Sequence, residues 1–391
     1  MRARMTTSAF GLFAAAGLLF AAACGGSSPT QTTPPPTTTP LLCSGMSFVF
    51  FNGGSATDTF AQTVYHGAQA ATAALGPAVT YEWSDWNSDT MLNQFQQDIT
   101  TTPLPDGIAI MGHPGDNKTY TNSGSLTFDS LITQARQAGI LVTSQNTPLP
   151  LAEAEYAAQG FGYVGQNVPV AGTTLANGAI AKNLVPAGSE IGLWGVCSGG
   201  KCGPTNKGGD GNACCTEKQV GSLTTTICCD STYLAGDTRA QRTWGIYKAF
   251  LDAGYTVDYQ EISADANGAA ANGVADFATF LTTYPAIKLM AFDHGGITGL
   301  ASTYLTNASK SAGDIKVIGF DMSSTTADEI QQGWVSLVLD QQPYLQGFLP
   351  IVQLCLTKKF QFAGLYVDTG SGLVDSSNIA SLLPLISQGL R

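Results

Sequence analysis

The feature that most limits what this chain can fold into is a repeated switch between two periods. Short apolar runs such as Ser47-Phe-Val-Phe-Phe51, Gly107-Ile-Ala-Ile-Met111 and Lys316-Val-Ile-Gly-Phe320 are followed by longer amphipathic stretches. Continuous apolar runs suit strands buried on both faces, and the longer stretches supply the helices that cover them. Strands are expected at 47–51, 79–83, 107–111 and 140–144, with helices over 60–75, 91–100 and 128–138. The alternation restarts after Gly162-Tyr-Val164. Helices are then expected over 170–183, 238–253, 274–284 and 296–306, with strands at 190–196, 256–262, 289–292 and 316–320. Strands alternating with helices imply parallel sheets, so two such series imply an α/β chain of two lobes. Ligands of open α/β sheets bind outside the carboxyl ends of the strands. The residues just after each strand are therefore the candidates for function.

The first residues read as an address. Arg2 and Arg4 precede an apolar stretch over 10–23, which ends in Ala21, Ala22, Ala23 and Cys24. This is the pattern of a secretory signal peptide over 1–23. The small residues before Cys24 resemble a bacterial lipobox, so Cys24 is expected to carry lipid and anchor the protein to a membrane without a spanning helix. Residues 24–45 are rich in Pro and Thr and read as a semi-rigid tether. The formal charge is −11, and loss of 1–23 with its two Arg leaves −11 − 2 = −13. That balance argues against nucleic acid, whose phosphates need a basic surface. With 44% hydrophobic and 12% charged residues, the chain has too much apolar surface to be disordered as a whole.

Several segments together carry a family resemblance. They are Phe48-Val-Phe-Phe-Asn52 with Asp58-Thr-Phe60, Ala138-Gly-Ile-Leu-Val142 before Gln145-Asn146, and Tyr163-Val-Gly-Gln-Asn167. Arg242-Thr-Trp-Gly245, Val317-Ile-Gly-Phe-Asp321 and Asp340-Gln-Gln-Pro-Tyr-Leu-Gln-Gly347 complete the set. In this order the chain resembles the type I periplasmic binding proteins of sugar ABC transporters, the ribose- and galactose-binding class. The resemblance implies two Rossmann-like lobes with parallel sheets, joined by three crossings near 164–167, 339–342 and 365–368. It divides the chain into a first lobe of 46–164 and 342–366 and a second of 165–341 and 367–391.

The resemblance also implies a site. Arg242 falls on the family's ligand-binding arginine, Asp321 on its sugar-binding aspartate and Gln341 on a crossing glutamine. Asp293 and Asn146 stand where relatives place polar sugar contacts. Asp58 and Phe60 match a polar contact and a ring-stacking aromatic. Ala61 stands where many relatives have a second aromatic, which leaves Phe51, Trp86 or Trp244 as stand-ins. His113 and His294 follow strand ends and are further candidates, whereas Arg239, one turn before Arg242, is expected in solvent. The implied partners are a sugar-like small-molecule solute and an ABC transporter permease, for a protein expected to be a monomer without a cofactor. A sensory receptor of the same fold and a binder of a less polar solute are the alternatives.

One stretch departs from the family. Residues 197–237 are Gly-rich and contain Cys197, Cys202, Cys214, Cys215, Cys228 and Cys229. So short and polar a piece needs disulfides or a metal to hold a shape. Secretion favours disulfides, with 15 possible connectivities for six cysteines. No His lies in it, and its Cys-Cys pairs lack zinc-ribbon spacing, so a metal is not expected. Cys43 and Cys355 either bridge or leave a buried thiol. The chain has no Gly-x-Ser-x-Gly nucleophile elbow, His-Glu-x-x-His or phosphate-cradling loop, so a binding protein and not an enzyme is expected.

Overall fold

A computed structural model describes residues 40–113, 115, 126–196 and 238–391, together with the backbone of 215–220 and 223–228. The signal peptide, Cys24 and most of the tether lie outside these residues.

The first series runs β1 (Ser47–Phe51), α1 (Thr59–Leu75), β2 (Ala78–Glu82), α2 (Ser88–Asp98), β3 (Gly107–Ile110), α3 (Phe128–Gln137), β4 (Leu141–Gln145), α4 (Pro150–Tyr156) and β5 (Tyr163–Gly165). The chain then enters a second series: α5 (Val168–Ala181), β6 (Glu190–Gly195), β7 (Cys215–Val220), β8 (Leu223–Cys228), α6 (Thr238–Asp252), β9 (Thr256–Glu261), α7 (Ala264–Gly268), α8 (Val274–Thr283) and β10 (Ile287–Phe292). It continues with α9 (Gly295–Thr298), α10 (Ala301–Asn307), β11 (Lys316–Phe320), α11 (Ser324–Gln331) and β12 (Leu337–Asp340). Last come α12 (Pro343–Phe360), β13 (Tyr366–Asp368), β14 (Gly372–Val374) and α13 (Ile379–Ser387).

Two six-stranded sheets result, ordered β13-β5-β4-β3-β1-β2 and β14-β12-β11-β10-β6-β9. Every pairing in the first is parallel, and in the second only β14 runs antiparallel, against β12. The period of two explains why the strands are apolar throughout. Phe48 and Phe50 of β1 face one core with Val64, Ala68 and Leu354, whereas Val49 and Phe51 face another with Phe95, Ile108 and Phe128. In the second lobe, Leu289 and Ala291 of β10 divide from Met290 and Phe292 in the same way.

Each lobe packs one pair of helices backbone to backbone. A Cβ on Gly67 of α1 would stand 2.0 Å from the Tyr344 carbonyl oxygen, and one on Gly347 of α12 would stand 1.8 Å from that of Val64. In the second lobe, Gly172 of α5 meets the Arg242 carbonyl oxygen at 2.1 Å, and Gly245 of α6 meets that of Pro169 at 2.2 Å.

The chain passes between lobes after β5, after β12 and after β13. Tyr366–Asp368 pairs with β5, so the third passage follows Asp368. This corrects the division that assigned 165, 367 and 368 to the second lobe. The three passages are tied together. The Asp368 carboxylate accepts from the Asn167 and Gly370 N–H groups at 3.1 and 2.8 Å. The buried Gln346 amide donates to the Gln341 carbonyl at 2.8 Å and to the Thr369 hydroxyl at 3.1 Å. The Tyr163 hydroxyl lies 2.8 Å from the Gln166 carbonyl oxygen and 2.9 Å from that of Asn146.

Other expectations shift for local reasons. The helix expected over 296–306 is two helices, interrupted at Gly299 and Leu300. Residues 43–45 belong to the folded lobe and not to a tether, because Cys43 is buried in a disulfide with Cys355 of α12. Strands β13 and β14 are three residues each, too short to show a period. Within the Cys-rich segment, Cys197, Cys202, Cys214 and Cys229 lie outside the described residues. Cys215 and Cys228 are opposite each other in the β7–β8 ladder.

Gly347→Ala is expected to destabilise the fold by about 1–3 kcal/mol, because the added methyl meets backbone that cannot rotate away. Equilibrium denaturation of the variant against wild type measures it.

Candidate ligand-binding cleft

Loops leaving the carboxyl ends of both sheets enclose a cavity of about 710 Å³. The first lobe supplies a wall of rings. Asp58 caps α1, one carboxylate oxygen accepting from the Ala61 N–H at 2.7 Å. Its other oxygen accepts from the Trp86 indole N–H at 3.3 Å. The rings of Phe60 and Trp86 lie 5.9 Å apart, and His113 meets Trp86 edge-on at 6.1 Å. Asn146 follows β4 in the left-handed region, at φ 62°. Its amide nitrogen donates to Gln346 at 3.2 Å.

The second lobe supplies charge. Gly245 lets α6 approach α5, and Arg242, one turn earlier on α6, lines the cleft. The Arg242 guanidinium lies over the Phe320 ring, 4.2 Å from its centroid, a cation–π contact. Its Nη1 donates to the Asp293 carbonyl oxygen at 2.9 Å, while its Nε is buried without a protein partner. Asp321 leaves β11 at φ 68° and accepts from the Gln341 amide. Burial raises the Asp321 pKa, with Arg242 pulling against the rise. The helix start that follows belongs to Ser323, which caps α11, and not to Asp321.

Residues 48–357 match the family described as periplasmic binding protein domain. The chain belongs to the periplasmic binding protein family. Membership places the folded chain outside the cytoplasm, and no helix among the described residues is long and apolar enough to cross a membrane. The xylose/arabinose-binding protein of Sulfolobus acidocaldarius is 26% identical over 345 residues, covering 86% of this chain and 72% of the relative. A solute-binding protein from Burkholderia graminis solved with D-arabinose superposes with a TM-score of 0.64 at 19% identity, over 87% of this chain and 98% of that one. A carbohydrate transporter protein from Acidothermus cellulolyticus solved with myo-inositol gives 0.63 at 21%, over 88% and 99%. These likenesses establish the type I fold of two α/β lobes.

Within this periplasmic binding protein, Asp58, Phe60, His113, Asn146, Arg242, Asp321 and Gln341 all line one cavity, as does His294. Asp293 does not. It lies fully buried behind the cleft, where its carboxylate accepts from the Val196 N–H at 2.9 Å, the Thr243 hydroxyl at 3.1 Å and Arg239 at 2.9 Å. Burial alone would raise its pKa, but the Arg239 guanidinium and these donors hold it below the usual carboxylate range. Arg239 is correspondingly not a solvated surface residue. It lines the cleft, paired to Asp293 and hydrogen-bonded to Asn267. Of the aromatic stand-ins, only Trp86 reaches the cavity; Phe51 is core and Trp244 stacks on Tyr247. Sequence reasoning missed Asn267, because α7 has no period long enough to place it. Gln166 it passed over, although a position directly after a strand was signal enough.

His294 sits beside two arginines. Burial, reinforced by Arg239, pushes its pKa down to about 3, so the imidazole is neutral at working pH. The unfolded chain binds that proton near the ordinary value of about 6.5. A depressed folded pKa means stability that is present above the unfolded value and lost as pH falls toward the folded one. Unfolding free energy is therefore expected to drop by about 1.4 kcal/mol per pH unit from this group between those values. Denaturation curves at successive pH values should show this slope in wild type and a shallower one in His294→Gln.

Proposed function

We propose that this protein is a lipid-anchored extracytoplasmic receptor that captures a small sugar-like solute between its lobes and delivers it to an ABC importer. The observation that carries the reading is the unlike lining of the two walls. The rings of Phe60, Trp86 and His113, gathered on one lobe with Asp58 and Asn146 beside them, line the same cavity as a guanidinium, a carboxylate and an amide from the other. Sugars have the matching asymmetry, with C–H patches on ring faces and hydroxyls around the edge. Aromatic plates suit the faces, and planar forked groups such as Arg242, Asp321, Gln341 and Asn146 suit paired hydroxyls. The names of the relatives point the same way, since the curated one is a xylose/arabinose-binding protein and the solved ones hold D-arabinose and myo-inositol.

In this reading the solute first meets one wall, and hinge motion about the three passages brings the other onto it. The closed monomer is the form presented to the permease. Cys24 holds the protein at the membrane by lipid, and the Pro- and Thr-rich stretch after it spaces the lobes from the surface.

A thermal-shift screen of the full chain against sugars, polyols, amino acids, nucleosides and lipids tests the solute class. A ligand at 100 times its Kd adds about 2.7 kcal/mol of stability, which raises Tm measurably. Sugars or polyols are expected among the hits. Arg242→Ala and Asp321→Ala are each expected to cost about 1–3 kcal/mol of binding by titration calorimetry, since each strands a buried partner. Wild-type affinity in both variants would refute this site.

A further inference from the structure

We propose that Trp86, not a second aromatic on α1, selects the ring of the solute, and that Asp58 is the residue that positions it. This rests on the reading of the cleft as a sugar site. Asp85 and Trp86 are consecutive residues in the left-handed region, at φ 52° and 56°. Bulky side chains seldom adopt that conformation, and it persists only where the surroundings impose it. Here the imposing contacts are two backbone hydrogen bonds, Asp85 N–H to the Gly54 carbonyl at 3.3 Å and Trp86 N–H to the Gly53 carbonyl at 2.9 Å. The turn that they hold carries the indole into the cleft.

The floor beneath the indole is made by the same two glycines. A Cβ on Gly54 would stand 2.7 Å from the indole Nε1 and 3.0 Å from the Ala61 Cβ, and one on Gly53 would stand 3.0 Å from Cζ3 of the indole. Trp86 and the side chain at 61 therefore border the same glycine. A ring on residue 61 and an indole at 86 would compete for this space, so Ala61 and Trp86 are complementary choices. Trp86 is half-buried and lines the cavity, unlike the fully buried rings of the core.

Asp58 has both carboxylate oxygens committed, one to the α1 cap and one to the indole N–H. Its role follows from that: it fixes the plane of the plate. The plate lines the same cavity as Arg242 and Asp321 of the other lobe, so the site favours cyclic solutes that present a C–H face to the first lobe and hydroxyls to the second.

The test uses the full chain with D-xylose, D-arabinose, myo-inositol and, as an acyclic control, xylitol. Wild-type protein is expected to bind the cyclic probes with a change in indole fluorescence. Trp86→Ala should weaken them about 10- to 100-fold, and Trp86→Phe by a smaller factor with most of the fluorescence change lost. Affinity for xylitol should be nearly unchanged in both. Asp58→Asn should weaken the cyclic probes less than Trp86→Ala does and alter the fluorescence response. If Trp86→Ala does not fold, Trp86→Phe and the wild-type fluorescence decide. Undiminished binding of the cyclic probes by Trp86→Phe, with the fluorescence change intact, overturns the assignment while leaving the sugar reading in place. Absence of binding by wild type to every probe overturns both.

Discussion

Because all strands of the first sheet run one way, and all but β14 of the second do likewise, the loops leaving their carboxyl ends collect on one edge of each lobe. A parallel sheet is covered by helices on both faces, so this edge is where its polar loops meet a ligand. Three chain passages then set the two edges opposite each other. Residues from positions as distant as 58, 146, 242 and 321 thereby line one cavity. The helix pairs α1–α12 and α5–α6 tighten the arrangement through glycines that admit backbone where any side chain would collide.

Amide, carboxylate and phenol groups tie the passages together. Gln346, Tyr163 and Asp368 together satisfy groups on all three. Buried polar networks of this kind are directional, and a partly broken one is costly. That gives the junction a defined geometry, unlike a greasy contact that tolerates sliding. Arg391 extends the same region by pairing with the buried Asp340 at 3.1 Å.

Charge in the cleft is arranged in layers. Asp293 sits behind the surface and neutralises Arg239, while Arg242 and Asp321 face the cavity. An unpaired buried ion is heavily penalised, and here Arg239 is paired with Asp293, Arg242 donates to the Asp293 carbonyl and Asp321 accepts from Gln341. Burial, reinforced by Arg239 and Arg242 and opposed by Asp293, keeps His294 neutral. The cleft thus keeps a fixed protonation pattern where a free histidine would titrate.

The two α/β lobes, the parallel sheets and most of the strands were legible in the sequence, because burial on both faces forces continuous apolar runs whose spacing is a local property. Arg242, Asp321, Asn146 and Gln341 were named by the family resemblance, Asp321 and Asn146 also standing just past a strand, and the fold brings all four to one cavity. The role of Asp293 was not, because the same position after β10 can face the cavity or the space behind it, and only the packing of Arg239 and Thr243 decides. Trp86 was one of three aromatics of equal standing until the turn at Asp85 and the glycines at 53 and 54 set it against the cleft. The Cys43–Cys355 bridge spans 312 residues and depends on α12 returning to the first lobe. Local pattern fixes which residues must be buried and how the chain alternates. Which polar groups meet across hundreds of residues is decided by tertiary structure alone, since a hydrogen bond or ion pair depends on distances that no local period encodes.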